Sequence, residues 1–95
     1  MEASILQRKI QKHPLVCATV IDNELVVMSS QDNVYYRINA SGIQIWSFLE
    51  SQICSVQTVV EFIADYYGLE HSQVFSDVQL FVLLMLEKGF LQYAD

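Results

Sequence analysis

Basic residues are scarce in this 95-residue chain, where five Lys and Arg stand against eleven Asp and Glu for a formal net charge of −6. Nucleic-acid affinity rests largely on cations that neutralise phosphates, so this charge balance opposes a phosphate backbone and suits a basic partner better. Cysteine is scarce too: Cys17 and Cys54 are the only two, with neither a CxxC pair nor a neighbouring histidine. Small disulfide scaffolds are cysteine-dense, so reduced thiols in a cytosolic protein are expected instead. Long apolar runs are missing. The longest, Leu80 to Leu86, falls far short of the roughly 20 residues of a membrane span. Residues 1–14 alternate polar and charged positions and lack the apolar core of a secretory signal.

What is plentiful is apolar surface. The chain is 53% hydrophobic with three glycines and one proline, enough to bury a real core and too apolar for disorder. No repeat or linker divides it. The expectation is one domain over 1–95, with residues 1–14 as an N-terminal extension in which residues 5–10 add extended structure, in the cytoplasm.

The hydrophobic period changes once, near Asn39. Before it, Leu15 to Asp22, Glu24 to Ser30 and Val34 to Ile38 read as strands, separated by turn signals at Asp22-Asn23 and Gln31-Asp32-Asn33. After it the pattern is helical. Asn39 can cap a first helix, on which Ile45, Trp46 and Leu49 share a core face. Ser55 can cap a second, with Val56, Val59, Val60, Ile63 and Tyr67 at helical spacing and Gly68 as its stop. A third runs from about Ser72 to Lys88, stops at Gly89, and carries a core stripe of Val74, Val78, Phe81, Val82 and Met85. Leu91 follows as an apolar clamp. The predicted fold is α+β, a three-stranded antiparallel sheet followed by three helices, winged helix-turn-helix-like in outline.

Converging catalytic groups are hard to find. His13 and His71 stand alone in polar segments, and Glu61, Asp65, Glu70 and Asp77 read as solvated carboxylates. There is no phosphate loop, HExxH or GxSxG, and no cluster with metal-ligand spacing. The chain is read as a non-enzyme without cofactor or metal.

Two features point to binding. The last strand of a three-strand meander is an edge, and Val34, Tyr35, Tyr36, Arg37 and Ile38 would then present unpaired backbone groups. Val34, Tyr36 and Ile38 face one side, Tyr35 and Arg37 the other, and only Arg37 and Asp32 act as polar gatekeepers. Such an edge is either covered by the fold or free to accept an extended peptide. In addition, Leu80, Leu83, Leu84 and Leu86 make the third helix apolar nearly all round, more than a small domain can bury. Leu80 and Leu84 share a flank with Asp77 and Phe81. Beside the edge strand that flank would form a groove with an apolar floor and a carboxylate rim. A homodimer surface or a thicker core is the alternative.

The segment Tyr35-Tyr36-Arg37-Ile38-Asn39-Ala40-Ser41-Gly42, followed by Ile45-Trp46 and Leu49, resembles the PqqD-like family. Ser55-Val56, Tyr66-Tyr67 and the close Asp77-Val78, Phe81, Met85, Gly89-Phe90-Leu91 extend the resemblance over about Leu15 to Leu91. Ile38 and Met85 replace leucines of the family pattern, both volume-conserving changes. The resemblance implies a RiPP recognition element, in which the leader of a ribosomally made precursor adds as a strand beside the third strand and rests on the third helix. The residues before the first strand and the paired tyrosines are most similar to the stand-alone proteins of lasso-peptide biosynthesis. There the leader is presented to a separate leader peptidase and then a cyclase. A peptide chaperone for a radical or quinone-cofactor pathway and a non-catalytic dimerisation module are the other readings. A DNA-binding winged helix is disfavoured, because the third helix offers Lys88 as its only cation.

Overall fold

The computed structural model of the chain describes residues 5–31 and 33–95, the side chains of residues 40 and 41 apart. A single 3-10 turn at Ile5–Gln7 leads into strand β1 (Lys9–Lys12). Strands β2 (Val16–Ile21) and β3 (Glu24–Ser29) then pair antiparallel in register from Ile21↔Glu24 to Val16↔Ser29. Their two-residue connection, Asp22-Asn23, has positive φ at both positions, 53° and 65°. That is the backbone of a type I′ turn, whose twist matches the flanking strands and which Asp and Asn tolerate. Strand β4 (Val34–Ile38) adds to β3, giving the sheet order β2-β3-β4. Asp32, expected in the second turn and as a gatekeeper, lies outside the described residues.

Three helices follow, α1 (Ala40–Glu50), α2 (Val56–Tyr67) and α3 (His71–Glu87). Each boundary has a local cause. Asn39 is extended at the head of α1, and its carbonyl accepts from the N–H groups of Gly42 and Ile43. Its side chain makes no capping bond, contrary to the cap the sequence suggests. The Ser55 hydroxyl accepts from the Thr58 N–H at the start of α2, and Gly68 ends that helix in the left-handed region. Helix α3 begins one residue earlier than expected. Glu70 and Gln73 form a reciprocal capping box there, the Glu70 N–H donating to Gln73 Oε1 at 2.9 Å.

The helices pack on the inner face of the sheet, where Val16, Val27 and Ile38 meet Trp46, Leu49, Val78 and Met85 in one buried cluster. The winged helix-turn-helix comparison therefore holds in outline only, since all three helices follow the meander. A second sheet goes beyond the sequence reading, which offered only extended structure at residues 5–10. Its order is β5-β1-β6, where β5 is Cys54–Ser55 and β6 is Leu91–Tyr93. Strand β1, within the stretch expected to be an extension, is its centre, and Ile10 is fully buried. Arg8 closes this sheet with a two-pronged ion pair to Asp95 at 2.8 and 3.0 Å, its guanidinium 3.8 Å from the centre of the Tyr93 ring.

Candidate functional site

Strand β4 pairs with β3 on one side and, among the described residues, with no strand on the other. Its inner face carries Val34, Tyr36 and Ile38, which are exposed, half-buried and buried in turn. Tyr35 and Arg37 stand on the outer face, where Arg37 Nη1 donates to Glu24 Oε1 at 2.6 Å. The guanidinium is thus drawn back across the sheet towards β3. The opposite edge, β2, is engaged near its start. Lys12 Nζ donates to the Val16 carbonyl at 3.0 Å, and the N–H and hydroxyl of Ser30 both donate to the Leu15 carbonyl.

Helix α3 lies beside the open edge. Val74, Val78, Val82 and Met85 anchor it in the core. Phe81, expected in that stripe, is only half-buried, and Leu84 likewise packs at the core's margin. Leu80 is 64% exposed, and Asp77 is exposed as well. The join between strand and helix is at Gly42. A Cβ built there would stand 2.5 Å from Ile38 Cγ2 and 2.9 Å from Phe81 Cε1. Both approaches are closer than nonbonded carbons allow, so β4, α1 and α3 meet around a residue with no side chain. One end of the strip is marked by Lys88, whose Nζ sits 4.9 Å from the centre of the Tyr36 ring. The helix therefore runs antiparallel to β4, with Phe81 near Ile38 and Lys88 near Tyr36.

At the Asn39 end the strip widens into an open cleft of about 490 Å³. Ile45, Ile63, Val74 and Val78 form its floor, and Tyr67, Leu69, Asp77 and Leu80 its walls. An apolar hollow with one carboxylate at its edge can take an apolar side chain and hold a cation beside it. Of the residues singled out in the sequence, Asp77, Leu80 and Phe81 line this cleft, and Ile38 abuts Phe81 across Gly42. Tyr36 lies at the far end of the strip, and Leu84 lies between on the same side of α3. Tyr35 is apart from them. It lines a separate hollow of about 450 Å³ on the outer face with Cys17 and Met28. Sequence reasoning gave Gly42, Leu69 and Lys88 no part in the site, and put Tyr67 on the apolar stripe of the second helix although it is 47% exposed. Tyr67 ends the α2 stripe, where helix and core diverge at Gly68.

No helix among the described residues is long and apolar enough to cross a membrane. Nor does any group of three or more His, Cys, Asp and Glu among them have the geometry to hold a metal. Burial pushes the Cys54 thiol above its usual range, away from the reactive thiolate.

An open strand edge beside an incompletely buried helix leaves backbone groups that an extended chain can pair with. The chain matches the family Coenzyme PQQ synthesis protein D (PqqD) over residues 24–91 and belongs to it. Among solved structures it is similar to TbiB1, which was determined in complex with the TbiA(beta) leader peptide. The two are 29% identical and superpose with a TM-score of 0.77, over 90% of this chain and 99% of the TbiB1 chain. No curated protein matches the chain.

Proposed function

We propose that this protein is a RiPP recognition element that binds the leader of a ribosomally synthesised precursor as an added β-strand. The observation that carries the reading is the open edge of β4 beside the half-exposed apolar flank of α3. The likeness to a leader-bound protein over nearly the whole fold supports it. Backbone groups of Val34 to Ile38 would hold the leader's main chain with little regard to its sequence. Side-chain selection would come from Tyr36, Leu80, Phe81 and Leu84, with Asp77 drawing a basic leader residue and hastening encounter. Val34 would border the strip at its far end. Tyr35 and Arg37 contribute their backbone to it and their side chains to the other face, so their share in selection is small. No chemical step is assigned to the chain. Its task is presentation, to a separate leader peptidase and then a cyclase of a lasso-peptide pathway, in the cytoplasm.

The PqqD match favours one second reading, a peptide chaperone in quinone-cofactor synthesis. Both use the same edge, and the precursor encoded beside the gene separates them. A fluorescently labelled leader of that precursor, titrated by anisotropy against a scrambled leader of equal charge, tests the binding itself. Saturable binding of the true leader alone is expected. Equal binding of both reduces the effect to charge attraction. A folded protein that binds neither, and elutes as a dimer, is a dimerisation module instead.

A further inference from the structure

The charges along the groove are not scattered. Asp77 on α3 and Lys88, the residue that caps its C-terminus in the helical region, are eleven residues apart. At about 100° per residue that interval is three turns plus roughly 20°, so they stand on one line of the helix surface. Leu84 falls on the same line, about 20° to the other side, with Leu80 and Phe81 flanking it. The flank facing the open edge is therefore an apolar strip closed by a carboxylate at one end and an ammonium at the other. Glu87 leaves the helix about 100° away from Lys88.

Among the described residues, neither end charge takes part in an ion pair. The two ion pairs among the described residues are Arg8–Asp95 and Arg37–Glu24. Lys12 is committed to the Val16 carbonyl. Lys88 holds its Nζ over the Tyr36 ring at the groove's end, 4.9 Å from the ring centre, and Asp77 stands exposed at the mouth of the cleft.

We propose that this polarity sets the direction and register of the bound leader, with Lys88 as a subsite for an acidic side chain and Asp77 for a basic one. The inference rests on the leader-binding reading above. Eleven residues of helix span about 16 Å, which is the length of about five residues of extended chain. An antiparallel partner, the pairing used throughout β2-β3-β4 and the stronger one per residue, runs from Asn39 towards Val34. Its basic residue therefore precedes its acidic residue by about five positions. A leader entering in reverse would place like charges at both ends.

The test is charge exchange on the labelled leader encoded beside this gene. Both side chains are exposed, so Lys88→Glu and Asp77→Lys leave the core intact. At low salt each should weaken binding about fivefold, the upper end for exposed ion pairs, and the loss should shrink in 0.5 M salt. Replacing one acidic leader residue with Lys should restore affinity for Lys88→Glu. Replacing a basic residue about five positions earlier with Glu should restore it for Asp77→Lys. Rescue distinguishes a subsite from a mere loss of helix-end stabilisation by Lys88. Unchanged affinity of both variants, while Leu80→Asp weakens binding, overturns the polarity and leaves leader recognition standing. Rescues in the opposite order, or a tightly bound leader without such a charge pair, overturn it as well. If the unaltered protein binds no leader, the underlying reading fails and this one with it.

Discussion

Replacing Gly42 by alanine sets two effects of known size against each other. Alanine is the better helix former by up to about 1 kcal/mol, and less than that in a first turn such as this. Against the gain stands the new methyl, 2.5 Å from Ile38 Cγ2 and 2.9 Å from Phe81 Cε1. The Phe81 contact is with the far edge of a half-buried ring, which can swing. Ile38 cannot yield so easily: it is 2% exposed, and a β-branched side chain is stiff at χ1. Overpacking of this kind costs about 1–3 kcal/mol. The balance is a loss of about 1–2 kcal/mol, or roughly 5–10 °C in Tm for a domain of this size. Circular dichroism melts of the two proteins measure it, and the labelled leader should bind the variant more weakly because the methyl pushes Ile38 and Phe81 into the groove. A rise in Tm with unchanged leader affinity would refute the reasoning, since propensity would then have won at a junction that is not tight.

Two further perturbations separate binding from stability. Leu80→Asp places a charge on a side chain already 64% exposed, so Tm should hold while leader affinity falls about tenfold or more, the loss of one desolvated apolar anchor. Leu84→Asp should lower both, because Leu84 packs against the core; equal melts for the two variants would contradict this. The third prediction concerns acid. Hydrogen bonding to Arg8 holds the Asp95 carboxyl below its usual range. Stability from this pair is therefore present above the unfolded carboxyl's pKa and is lost as pH falls through the lower folded value. Melts from pH 7 to pH 2 should show unaltered protein and Asp95→Asn differing at neutral pH and converging in acid.

The meander and helices were legible because each carries its period over several residues. Tyr36 and Ile38 alternate with the exposed Tyr35 and Arg37, while Val56, Val59, Val60 and Ile63 repeat at helical spacing. The second sheet was not legible for the opposite reason. Lys9–Lys12 buries one apolar residue, Ile10, and its partners lie at Cys54–Ser55 and Leu91–Tyr93. A four-residue strand with one apolar position shows no alternation, and pairing across most of the chain leaves no local trace. Half of the groove was readable for the same reason the core was. Asp77, Leu80, Phe81 and Leu84 are three or four residues apart. Lys88 continues that line at eleven residues from Asp77, a spacing visible in the sequence but unread while the residue was weighed only as a lone cation. Gly42 stood in the segment that carries the family resemblance, but its packing role was not legible, since that depends on how closely Ile38 and Phe81 approach in space.

The central claim is that a peptide adds to the free edge of β4. Amide hydrogen exchange with and without the labelled leader tests it most directly. Backbone N–H groups of residues 34–38 that β3 leaves unused should exchange freely alone and slow markedly on binding, with the outer edge of β2 unchanged. Protection at β2, or binding that leaves residues 34–38 as exchangeable as before, would contradict the account.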